Sequence, residues 1–460
     1  MICVKKAHKI LSLRLVKLIN LAAMTAVFSL LWLRTFAPLL PDETRLAEGA
    51  AVVALFVVLY LVFVRVYEAF LISQSRISEL VGSQFLSALL SELFLYVVTC
   101  LLVHGMAAAW PFLAALFLQG LIAVVWTYLA HHWYFRTYPP QPTAVFYEDE
   151  QTARAFVREY DLRKRYHLVR AVHVSESDAS LSWLEGIEVV FLAGVQSRDR
   201  DPVLKYAAEH GLELYIVPRI GDLIMAGATK VHMFHYPALR VGRYSPRVEY
   251  LVFKRIGDIL VSLTALIALS PLMLVTAIAI HAHDKGPVFY RQERLTKNGR
   301  RFRLLKFRSM RVDAERDGVA RLSSGKDDPR VTPVGRVIRK YRIDELPQLL
   351  NILRGDLAVV GPRPERPEIA AQYEESLPEF RLRLQAKAGL TGYAQVYGKY
   401  NTDPYHKLQM DLMYIANPSL LEDLRICFAT VKTLFQPEST EGVRADQTTA
   451  MDESETAAAK

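Results

Sequence analysis

Cysteine is scarce in this sequence of 460 residues. Its three cysteines, Cys3, Cys100 and Cys427, stand far apart, which excludes a disulfide-stabilised scaffold and a cysteine-based zinc cluster. Charged residues make up 22% and hydrophobic residues 52%, so the chain is not disordered throughout. Mean hydropathy is +0.15, which is uncommon among soluble globular proteins. The length predicts roughly two to four folded units, and the hydropathy predicts that part of the chain lies in lipid.

The charge of the sequence is basic. Lysine and arginine number 56 against 47 aspartates and glutamates, which gives a net charge of +9. Such a charge is compatible with nucleic-acid binding, but in a membrane protein it more often marks segments that face anionic lipid headgroups. The basic residues cluster beside apolar segments, and no recognition motif accompanies them. We therefore expect membrane lipid, and no nucleic acid, as a partner.

Residues 1–137 contain four apolar stretches, each about long enough to cross a hydrocarbon core of ~30 Å as a helix. They are Val16–Phe36, Ala51–Ile72, Phe85–Met106 and Trp110–Ala130. Basic residues precede the first stretch and no convincing cleavage site accompanies it, so we expect a retained span and a cytoplasmic N-terminus. The basic residues of the loops fit four crossings with both ends inside. The third stretch carries Glu92, and for it a buried core helix is the competing interpretation.

Residues 138–245 have the pattern of a small α/β domain of Rossmann-like type. Short apolar runs alternate with helix-like stretches, which predicts a parallel sheet. The predicted strands are Thr143–Tyr147, His167–Val174, Val189–Ala193 and Glu213–Val217, and the predicted helices are Gln151–Tyr160 and Pro202–Glu209. A dinucleotide site needs glycines after the first strand, but the turn here is Tyr147-Glu148-Asp149-Glu150, whose acidic side chains would repel phosphate. We therefore expect a structural or regulatory domain without a phosphate-binding glycine loop.

Two histidines in this domain, His232 and His235, have a spacing that could suit a metal pair. No third ligand stands nearby in the sequence, so ordinary surface or interface histidines are the interpretation that we favour.

A fifth apolar segment, Ile259–Ile280, is also long enough to span a membrane, but basic residues flank it on both sides. Ser270-Pro271 lies in its middle, where a proline removes a backbone hydrogen bond and bends a helix. We expect residues 250–284 to form a re-entrant helix that enters the cytoplasmic leaflet, breaks at Ser270-Pro271 and returns. A fifth ordinary span with a proline kink is the alternative, and it would place the rest of the chain outside the cell.

The candidate chemistry lies in residues 285–437. Asp344-Glu345 precedes an apolar stripe of helical spacing that begins at Leu346, and Pro347 is tolerated only in a first helical turn. The carboxylate pair is therefore predicted at or beside a helix N-terminus, which favours anions including phosphate. A carboxylate held there is expected to stay ionised and can attack phosphorus to form an acyl phosphate. Its neighbour can hold Mg²⁺, which takes oxygen ligands and neutralises diphosphate charge.

Four basic residues in the same region could meet a diphosphate: Lys306, Arg308, Arg339 and Arg363. Gly361-Pro362-Arg363-Pro364 predicts a rigid turn that fixes the direction of Arg363. Taken singly, Asp344 could merely cap a helix, and the basic residues could form a solvated or lipid-facing surface. The ordered set of motifs is what points to phosphate chemistry.

In this order the motifs resemble the bacterial sugar transferase family, the polyprenyl-phosphate sugar-1-phosphate transferases of the monotopic phosphoglycosyl transferase superfamily. The resemblance covers about Tyr250–Phe435 and includes the serine–proline membrane helix. The four spans and the α/β domain resemble the long form of the family, which initiates exopolysaccharide, capsule or O-antigen synthesis. Two departures are Ile343, where leucine is usual, and Leu357-Ala358, where Met-Ser is common; both conserve bulk and leave the chemical roles intact.

The resemblance implies a fold, a reaction and a set of roles. A re-entrant helix anchors a mainly helical catalytic domain on the cytoplasmic face of the bacterial inner membrane. Asp344 is the nucleophile that attacks the β-phosphate of a UDP-sugar, UMP leaves, and polyprenyl (undecaprenyl) phosphate then takes the phosphosugar. Glu345 matches the partner for Mg²⁺, with Asp344 beside it. The other motif positions lie near the phosphates or in later motifs: Lys306, Arg308, Arg339, Pro362, Arg363, Gln348, Gly392 and Gln395.

The sugar can be glucose, galactose or an N-acetylated sugar, and we favour a plain hexose. A homodimer and later polysaccharide assembly enzymes are candidate partners. The alternatives are a catalytically silent scaffold, which the intact Asp344-Glu345 and Arg363 motifs disfavour, and a multi-spanning transferase with its site between the first four spans, where acidic clusters are missing. Residues 438–460 are polar and are expected to be disordered.

Overall fold

A computed structural model describes residues 2–150, 153, 165–177, 180–312, 314, 328, 330–398 and 403–433. The chain divides into two units, Met1–Val217 and Pro218–Lys460. The division falls inside the segment 138–245 that the sequence suggests as one domain. The predicted helix Gln151–Tyr160, apart from Ala153, and the tail 438–460 lie outside the described residues.

The first unit begins with four long helices, α1 (Ile2–Thr35), α2 (Arg45–Val66), α3 (Ile77–Leu102) and α4 (Trp110–Thr137). All four have the length and the apolar composition to cross a membrane, which confirms the prediction of an apolar helical N-terminal region. The second predicted stretch runs to Ile72, whereas α2 ends at Val66. The helix ends there because Glu68 adopts a left-handed backbone with φ 55°, and a right-handed α-helix cannot continue through that conformation.

The bundle buries polar side chains as well as apolar ones. Asn20 Nδ2 donates to Gln84 Oε1 over 2.9 Å, and Gln84 Nε2 donates to Thr127 Oγ1 over 2.9 Å, so three helices are joined by one chain of hydrogen bonds. Polar pairs of this kind add specificity to packing in lipid, where apolar contacts alone do not drive association. Glu92 on α3 is also buried within the bundle.

The α/β part of this unit follows the bundle. Four parallel strands form one sheet in the order β2-β1-β3-β4, with β1 (Gln141–Tyr147), β2 (Tyr166–His173), β3 (Val189–Ala193) and β4 (Glu213–Val217). The predicted parallel sheet is confirmed. Helix α5 (Ser197–His210) covers the predicted Pro202–Glu209. β3 is buried at every position, which explains its uninterrupted apolar sequence.

The second unit opens with α6 (Ile220–Ala226) and the hairpin of β5 (Thr229–Met233) and β6 (Tyr236–Arg240). His232 lies on β5 and His235 lies between the two strands, both exposed. Within the described residues no group of three or more histidine, cysteine, aspartate or glutamate side chains is placed to hold a metal ion. The two histidines therefore have no partner ligands in the part of the chain that the structure covers.

Helix α7 (Val248–Asp284) is the fifth helix that is long and apolar enough to cross a membrane. It continues through Ser270-Pro271 with Pro271 inside it, and Ser270 Oγ donates to the carbonyl of Ile267 over 2.8 Å. That bond turns the serine side chain back onto the helix. The break that the sequence suggests at this point, and the return of the chain to one leaflet, remain predictions.

Both ends of α7 contact elements of the second unit. Near its N-terminal end, Arg255 donates to the carbonyls of Ile352 and Leu353 over 2.6 and 2.8 Å. Near its C-terminal end, Ile280 packs with Phe307 and Ile338. A straight helix of 37 residues would be about 55 Å long. Other elements of the second unit therefore contact α7 near both of its ends and not at one end alone.

The rest of the second unit mixes helices with short strands. β7 (Phe289–Leu295) pairs antiparallel with β8 (Arg301–Phe307), and β9 (Ala358–Val360) pairs parallel with β10 (Gly389–Thr391). The helices are α8 (Pro333–Lys340), α9 (Gln348–Arg354), α10 (Pro367–Ser376), α11 (Tyr393–Tyr397), α12 (Pro404–Ala416) and α13 (Leu420–Thr433). The prediction of a mainly helical region is correct in part, because β8 carries the predicted site residue Lys306, and β9 and β10 lead into the segments that hold Pro362, Arg363 and Gly392.

Candidate active site

The predicted carboxylate pair lies in a tight connection between two helices. Ile343–Glu345 form a single 3-10 turn after α8, and α9 begins at Gln348 directly after Pro347. Pro347 has φ −61°, the value that a proline ring imposes and that a helix start accepts. The pair therefore stands beside a helix N-terminus, as the apolar spacing predicts.

Three basic side chains converge on Glu345. Lys306 Nζ lies 2.9 Å and Arg363 Nη2 lies 3.3 Å from Glu345 Oε1, and Arg342 Nη1 lies 4.0 Å from Oε2. The Glu345 side chain is only 13% exposed. Burial alone raises the pKa of this carboxyl, but the three positive charges outweigh burial and hold the pKa below its usual range. Glu345 is therefore an ionised anchor for the cations of the site.

Asp344 differs from its neighbour in having no such partners. Its carboxylate makes no hydrogen bond or ion pair with any side chain in the described ranges. Burial raises the pKa of Asp344, and the charge of Glu345 adds to the rise, while Lys306 opposes it. Desolvation thus outweighs the favourable charges around Asp344, and the expectation that this carboxylate stays ionised remains a prediction. The result is an unpaired carboxylate with raised basicity beside an ionised one.

Two arginines flank the pair on the side of α8. Arg339 lies in the last turn of α8, and its guanidinium has no hydrogen bond or ion pair to a described residue, although its charge lowers the pKa of Asp344. Arg342 has a left-handed backbone with φ 54°, which costs energy for a residue with a side chain. That conformation turns Arg342 towards Glu345. Sequence reasoning did not select Arg342, because a single residue with positive φ leaves no signal unless it is glycine or asparagine.

The structure does not place Arg308 among the cations that contact Glu345. It is 7% exposed and lies at the C-terminal end of α7, where Nη1 donates to Asp284 Oδ2 over 2.6 Å and Nε donates to the carbonyl of Pro287 over 2.7 Å. Nη2 contacts the other oxygen of the same carboxylate. All three guanidinium nitrogens of Arg308 thus have protein partners, so the group is not positioned to grip a phosphate in bidentate fashion. The contacts suit a residue that fixes the end of α7 against β8.

The turn that carries Pro362 and Arg363 is held from several directions. Gly361 N donates to the carbonyl of Thr391 over 2.8 Å, and Gly389 N donates to the carbonyl of Pro362 over 2.9 Å. Arg383 Nη2 donates to the carbonyl of Arg363 over 2.8 Å. These bonds fix the backbone while the Arg363 side chain stays 38% exposed. The rigid turn therefore presents Arg363 to Glu345 and to solvent.

The remaining motif positions support this turn from behind. Gly392 faces the turn so closely that a Cβ there would lie 2.1 Å from the carbonyl oxygen of Gly361. Gln395 Nε2 donates to the carbonyl of Leu390 over 3.1 Å, and Gln348 is buried in the first turn of α9. None of the three has a described contact with the carboxylate pair. Their positions indicate a packing role.

Asn351 is a second residue that sequence reasoning did not select for the site. Its Oδ1 accepts from the backbone N of Leu305 over 2.9 Å, and its Nδ2 donates to the carbonyl of Arg303 over 2.9 Å. The side chain thus joins α9 to β8 in the way that a neighbouring strand would. Since Lys306 follows Leu305 directly, this bond sets the position of the lysine relative to Glu345.

The oxygens of the pair suit a shared magnesium ion. Lys306 and Arg363 both contact Oε1 of Glu345, and Arg342 lies at the longer distance of 4.0 Å from Oε2. Oε2 and the Asp344 carboxylate, which has no partner among the described residues, are therefore the oxygens best placed to meet a metal. Mg²⁺ in diphosphate sites takes one or two protein carboxylates and completes its shell with phosphate oxygens and water. The donor set fits a metal that arrives with a diphosphate and does not fit a cage made of protein ligands alone.

Known proteins match this chain over part of its length. Residues 249–437 match the family model described as bacterial sugar transferase. A UDP-N-acetylgalactosamine-undecaprenyl-phosphate N-acetylgalactosaminephosphotransferase of Aeromonas hydrophila is 39% identical over 226 residues, which are 48% of this chain and 52% of that protein. A UDP-glucose:undecaprenyl-phosphate glucose-1-phosphate transferase of Klebsiella pneumoniae is 42% identical over 186 residues, 39% of this chain and 40% of that protein. The chain thus spans about half the length, or less, of these two relatives.

A third relative is matched over nearly its whole length. The exopolysaccharide production protein PSS of Rhizobium leguminosarum bv. phaseoli is 43% identical over 190 residues, which are 39% of this chain and 94% of that protein. The family-model match, residues 249–437, holds the carboxylate pair, the cations around it and all of α7 except its first residue. On this evidence the chain belongs to the bacterial sugar transferase family, a family of membrane-associated enzymes.

Proposed function

We propose that this protein transfers a sugar 1-phosphate from a UDP-sugar to undecaprenyl phosphate, giving undecaprenyl-diphospho-sugar and UMP. The observation that carries the proposal is the contrast between the two adjacent carboxylates. Glu345 collects Lys306, Arg342 and Arg363, while Asp344 has no ion-pair or hydrogen-bond partner among the described side chains and is partly exposed. Such an arrangement suits a nucleophile placed inside a positive field that binds phosphate. The names of the relatives from Aeromonas and Klebsiella support the same donor and acceptor classes.

The proposed reaction has two displacements at one phosphorus. An oxygen of Asp344 attacks the β-phosphorus of the UDP-sugar, the bond to the bridging oxygen breaks, and UMP leaves with the electron pair. The phosphosugar is then held as an acyl phosphate on Asp344. A phosphate oxygen of undecaprenyl phosphate attacks that phosphorus, and the Asp344 carboxylate leaves unchanged. A covalent route of this kind lets one site serve two phosphate substrates in turn.

The basic residues have distinct tasks in this proposal. Lys306 and Arg363 are held by Glu345 at fixed positions, so they can stabilise charge that develops on the phosphate without reorganising. Arg339 lacks a described partner and is free to bind a phosphate oxygen of either substrate. Asp344 and Glu345 would hold Mg²⁺, which supplies neutralisation of diphosphate charge when it is bound.

We place the reaction on the cytoplasmic face of the bacterial inner membrane, with α7 re-entering a single leaflet. The contacts of Arg255 and Asp284 support this position, because both ends of α7 meet the unit that carries the site. Basic residues at both flanks of the helix support it as well. UDP-sugars are cytoplasmic compounds, so a site on that face meets its donor. The product would enter exopolysaccharide, capsule or O-antigen synthesis.

The direct test is UMP release by the purified full-length protein. It is given undecaprenyl phosphate, Mg²⁺ and, one at a time, UDP-glucose, UDP-galactose and their N-acetylated counterparts. We expect release with one donor, a plain hexose by our prediction, and loss of release in Asp344→Asn. Asp356→Asn is the matched control, because Asp356 pairs with the exposed Arg300 away from the carboxylate pair. No release from folded wild-type protein with any donor would favour the silent scaffold.

A further inference from the structure

Strand β9, which leads to the turn of Arg363, has a partner strand on one side only among the described elements. Ala358 N donates to the carbonyl of Ala388 on the β10 side over 2.8 Å. Successive amides in a strand point in opposite directions, so the N–H of Val359 points away from β10. A buried amide without an acceptor costs stability, and an edge strand with open amides is a liability.

The acceptor comes from the membrane helix. Asp258 on α7 is 7% exposed, and its Oδ1 accepts from Val359 N over 3.0 Å. A side-chain carboxylate thus takes the place of a neighbouring strand along the open side of β9. The bond joins α7 to a segment that lies far from it in sequence, and the position of β9 therefore depends on α7.

Few residues separate this hydrogen bond from Arg363, and the backbone between them is tightly packed. Val359 precedes Gly361 by two residues, and a Cβ at Gly361 would lie 2.3 Å from the carbonyl oxygen of Lys387, so the backbone has no room to shift. Arg363 follows two residues later, with Nη2 at 3.3 Å from Glu345. A displacement of β9 would move Arg363 directly, because nothing flexible lies between them.

We infer that Asp258 is a positioning residue of the membrane helix that sets the location of Arg363 in the active site through the backbone N–H of Val359. The inference rests on the proposed function, since Arg363 acts there on the phosphates. It assigns to α7 a part in catalysis beyond anchoring the protein. It also predicts which property of Asp258 matters, namely a hydrogen-bond acceptor and not a negative charge.

A different role for Asp258 would be charge compensation for nearby lysines. Lys254 is one turn away on the helix, but its Nζ already lies 2.9 Å from Asp423 Oδ2. Charge compensation requires the carboxylate, whereas the bond to Val359 requires only an oxygen. Asparagine keeps that oxygen and removes the charge, so Asp258→Asn separates the two roles.

The experiment measures UMP release by full-length Asp258→Ala and Asp258→Asn, each with Arg363 intact and in an Arg363→Ala background. We expect Asp258→Ala to lower the rate by about tenfold or more, since small displacements of catalytic groups have such effects. Asp258→Asn should stay within about threefold of wild type. In the Arg363→Ala background, Asp258→Ala should add less than about twofold, because its effect passes through the missing arginine. Ser262→Ala is the control and should behave as wild type. Ser262 is buried on α7 one turn after Asp258, and its hydroxyl has no hydrogen-bond partner among the described residues.

The outcomes separate this inference from the proposed function. No UMP release by wild type would remove the proposed function and the inference with it. Release by wild type with equal release by Asp258→Ala would overturn the inference alone, as would equal losses in both backgrounds or a loss in Asp258→Asn as large as in Asp258→Ala. If Asp258→Ala does not fold, Val359 is replaced by its α-hydroxy acid analogue, which removes the N–H and keeps every side chain. We then expect the same loss with Arg363 intact and none without it, and any other pattern overturns the inference.

Discussion

Lys306 Nζ lies 2.9 Å from Glu345 Oε1, so the amine carried by β8 pairs with the second carboxylate of the motif and not with Asp344. This pairing gives two adjacent acidic residues different electrostatic roles. Glu345 is ionised and holds the cations in place, whereas the pKa of Asp344 is raised and its carboxylate pairs with no side chain that the structure describes. In the proposed reaction, this difference lets the cations bind phosphate while the Asp344 carboxylate stays available as the nucleophile.

The first prediction concerns the dependence of the rate on pH. Because burial raises the pKa of Asp344, the rate should fall on the acid side at a pH above the ordinary aspartate value of about 4. Lys306→Met removes a positive charge that lowers this pKa, so its acid limb should move to higher pH. Glu345→Gln removes a negative charge that raises the pKa, so its acid limb should move to lower pH. Rates of UMP release measured from about pH 4 to about pH 9 test both signs, and shifts in the same direction would contradict the assignment.

The second prediction concerns the ion pair at the end of α7. Arg308 is buried against Asp284, and removal of one partner leaves the other uncompensated. We expect Arg308→Ala to lower the free energy of unfolding by about 3 kcal/mol, seen as a lower unfolding temperature in detergent. Arg301→Ala is the matched control, because Arg301 lies at the start of β8, the strand that directly precedes Arg308, and is 3.7 Å from Glu293 with both side chains exposed. Its loss should be under about 0.5 kcal/mol. Equal effects in the two variants would show that Arg308 is not a structural clamp.

The third prediction concerns the glycine behind the turn of Arg363. A Cβ at Gly392 would lie 2.1 Å from the carbonyl oxygen of Gly361, and the neighbouring backbone is held by hydrogen bonds. Gly392→Ala should therefore displace the turn and abolish UMP release or folding. Gly257→Ala on α7 meets nothing within 4 Å and should leave both intact. An active, stable Gly392→Ala protein would mean that the turn is looser than its contacts indicate.

The fourth prediction concerns the membrane position of α7. In a background with the native cysteines replaced by serine, Val248→Cys and Lys285→Cys mark the two ends of the helix. A re-entrant helix exposes both positions to an impermeant maleimide on inside-out vesicles and neither on right-side-out vesicles. Met106→Cys, between α3 and α4, should show the opposite pattern and serves as the orientation control. Labelling of the two ends from opposite sides would establish an ordinary fifth span.

The parts of the fold that could be predicted are those in which local pattern and burial agree. β3 and β4 begin and end at the predicted residues, and the continuous apolar sequence of Val189–Ala193 reflects burial of every position. The four N-terminal helices follow from length and apolarity alone. The connection of Asp344 to a helix start follows from Pro347 and the leucine spacing behind it.

The parts that could not be predicted depend on contacts between distant segments. Arg308 has the charge expected of a phosphate ligand, and only the fold shows that its guanidinium forms an ion pair with Asp284. Arg342 faces Glu345 because its backbone is left-handed, a conformation that the local sequence does not predict. The bond from Asp258 to Val359 joins a membrane helix to an edge strand, and neither residue has a pattern that predicts the other.

The measurement that tests the central claim most directly is capture of the phosphosugar on the enzyme in the absence of lipid acceptor. Full-length protein is mixed with Mg²⁺ and the productive UDP-sugar labelled in the sugar, and UMP and protein-bound label are followed together. We expect UMP and bound label to appear in equal amounts up to one per active site, the label to lie on the peptide that contains Asp344, and undecaprenyl phosphate to discharge it. Asp344→Asn should show neither. UMP that appears only after acceptor is added, with no label on the protein at any time, would contradict the covalent role of Asp344.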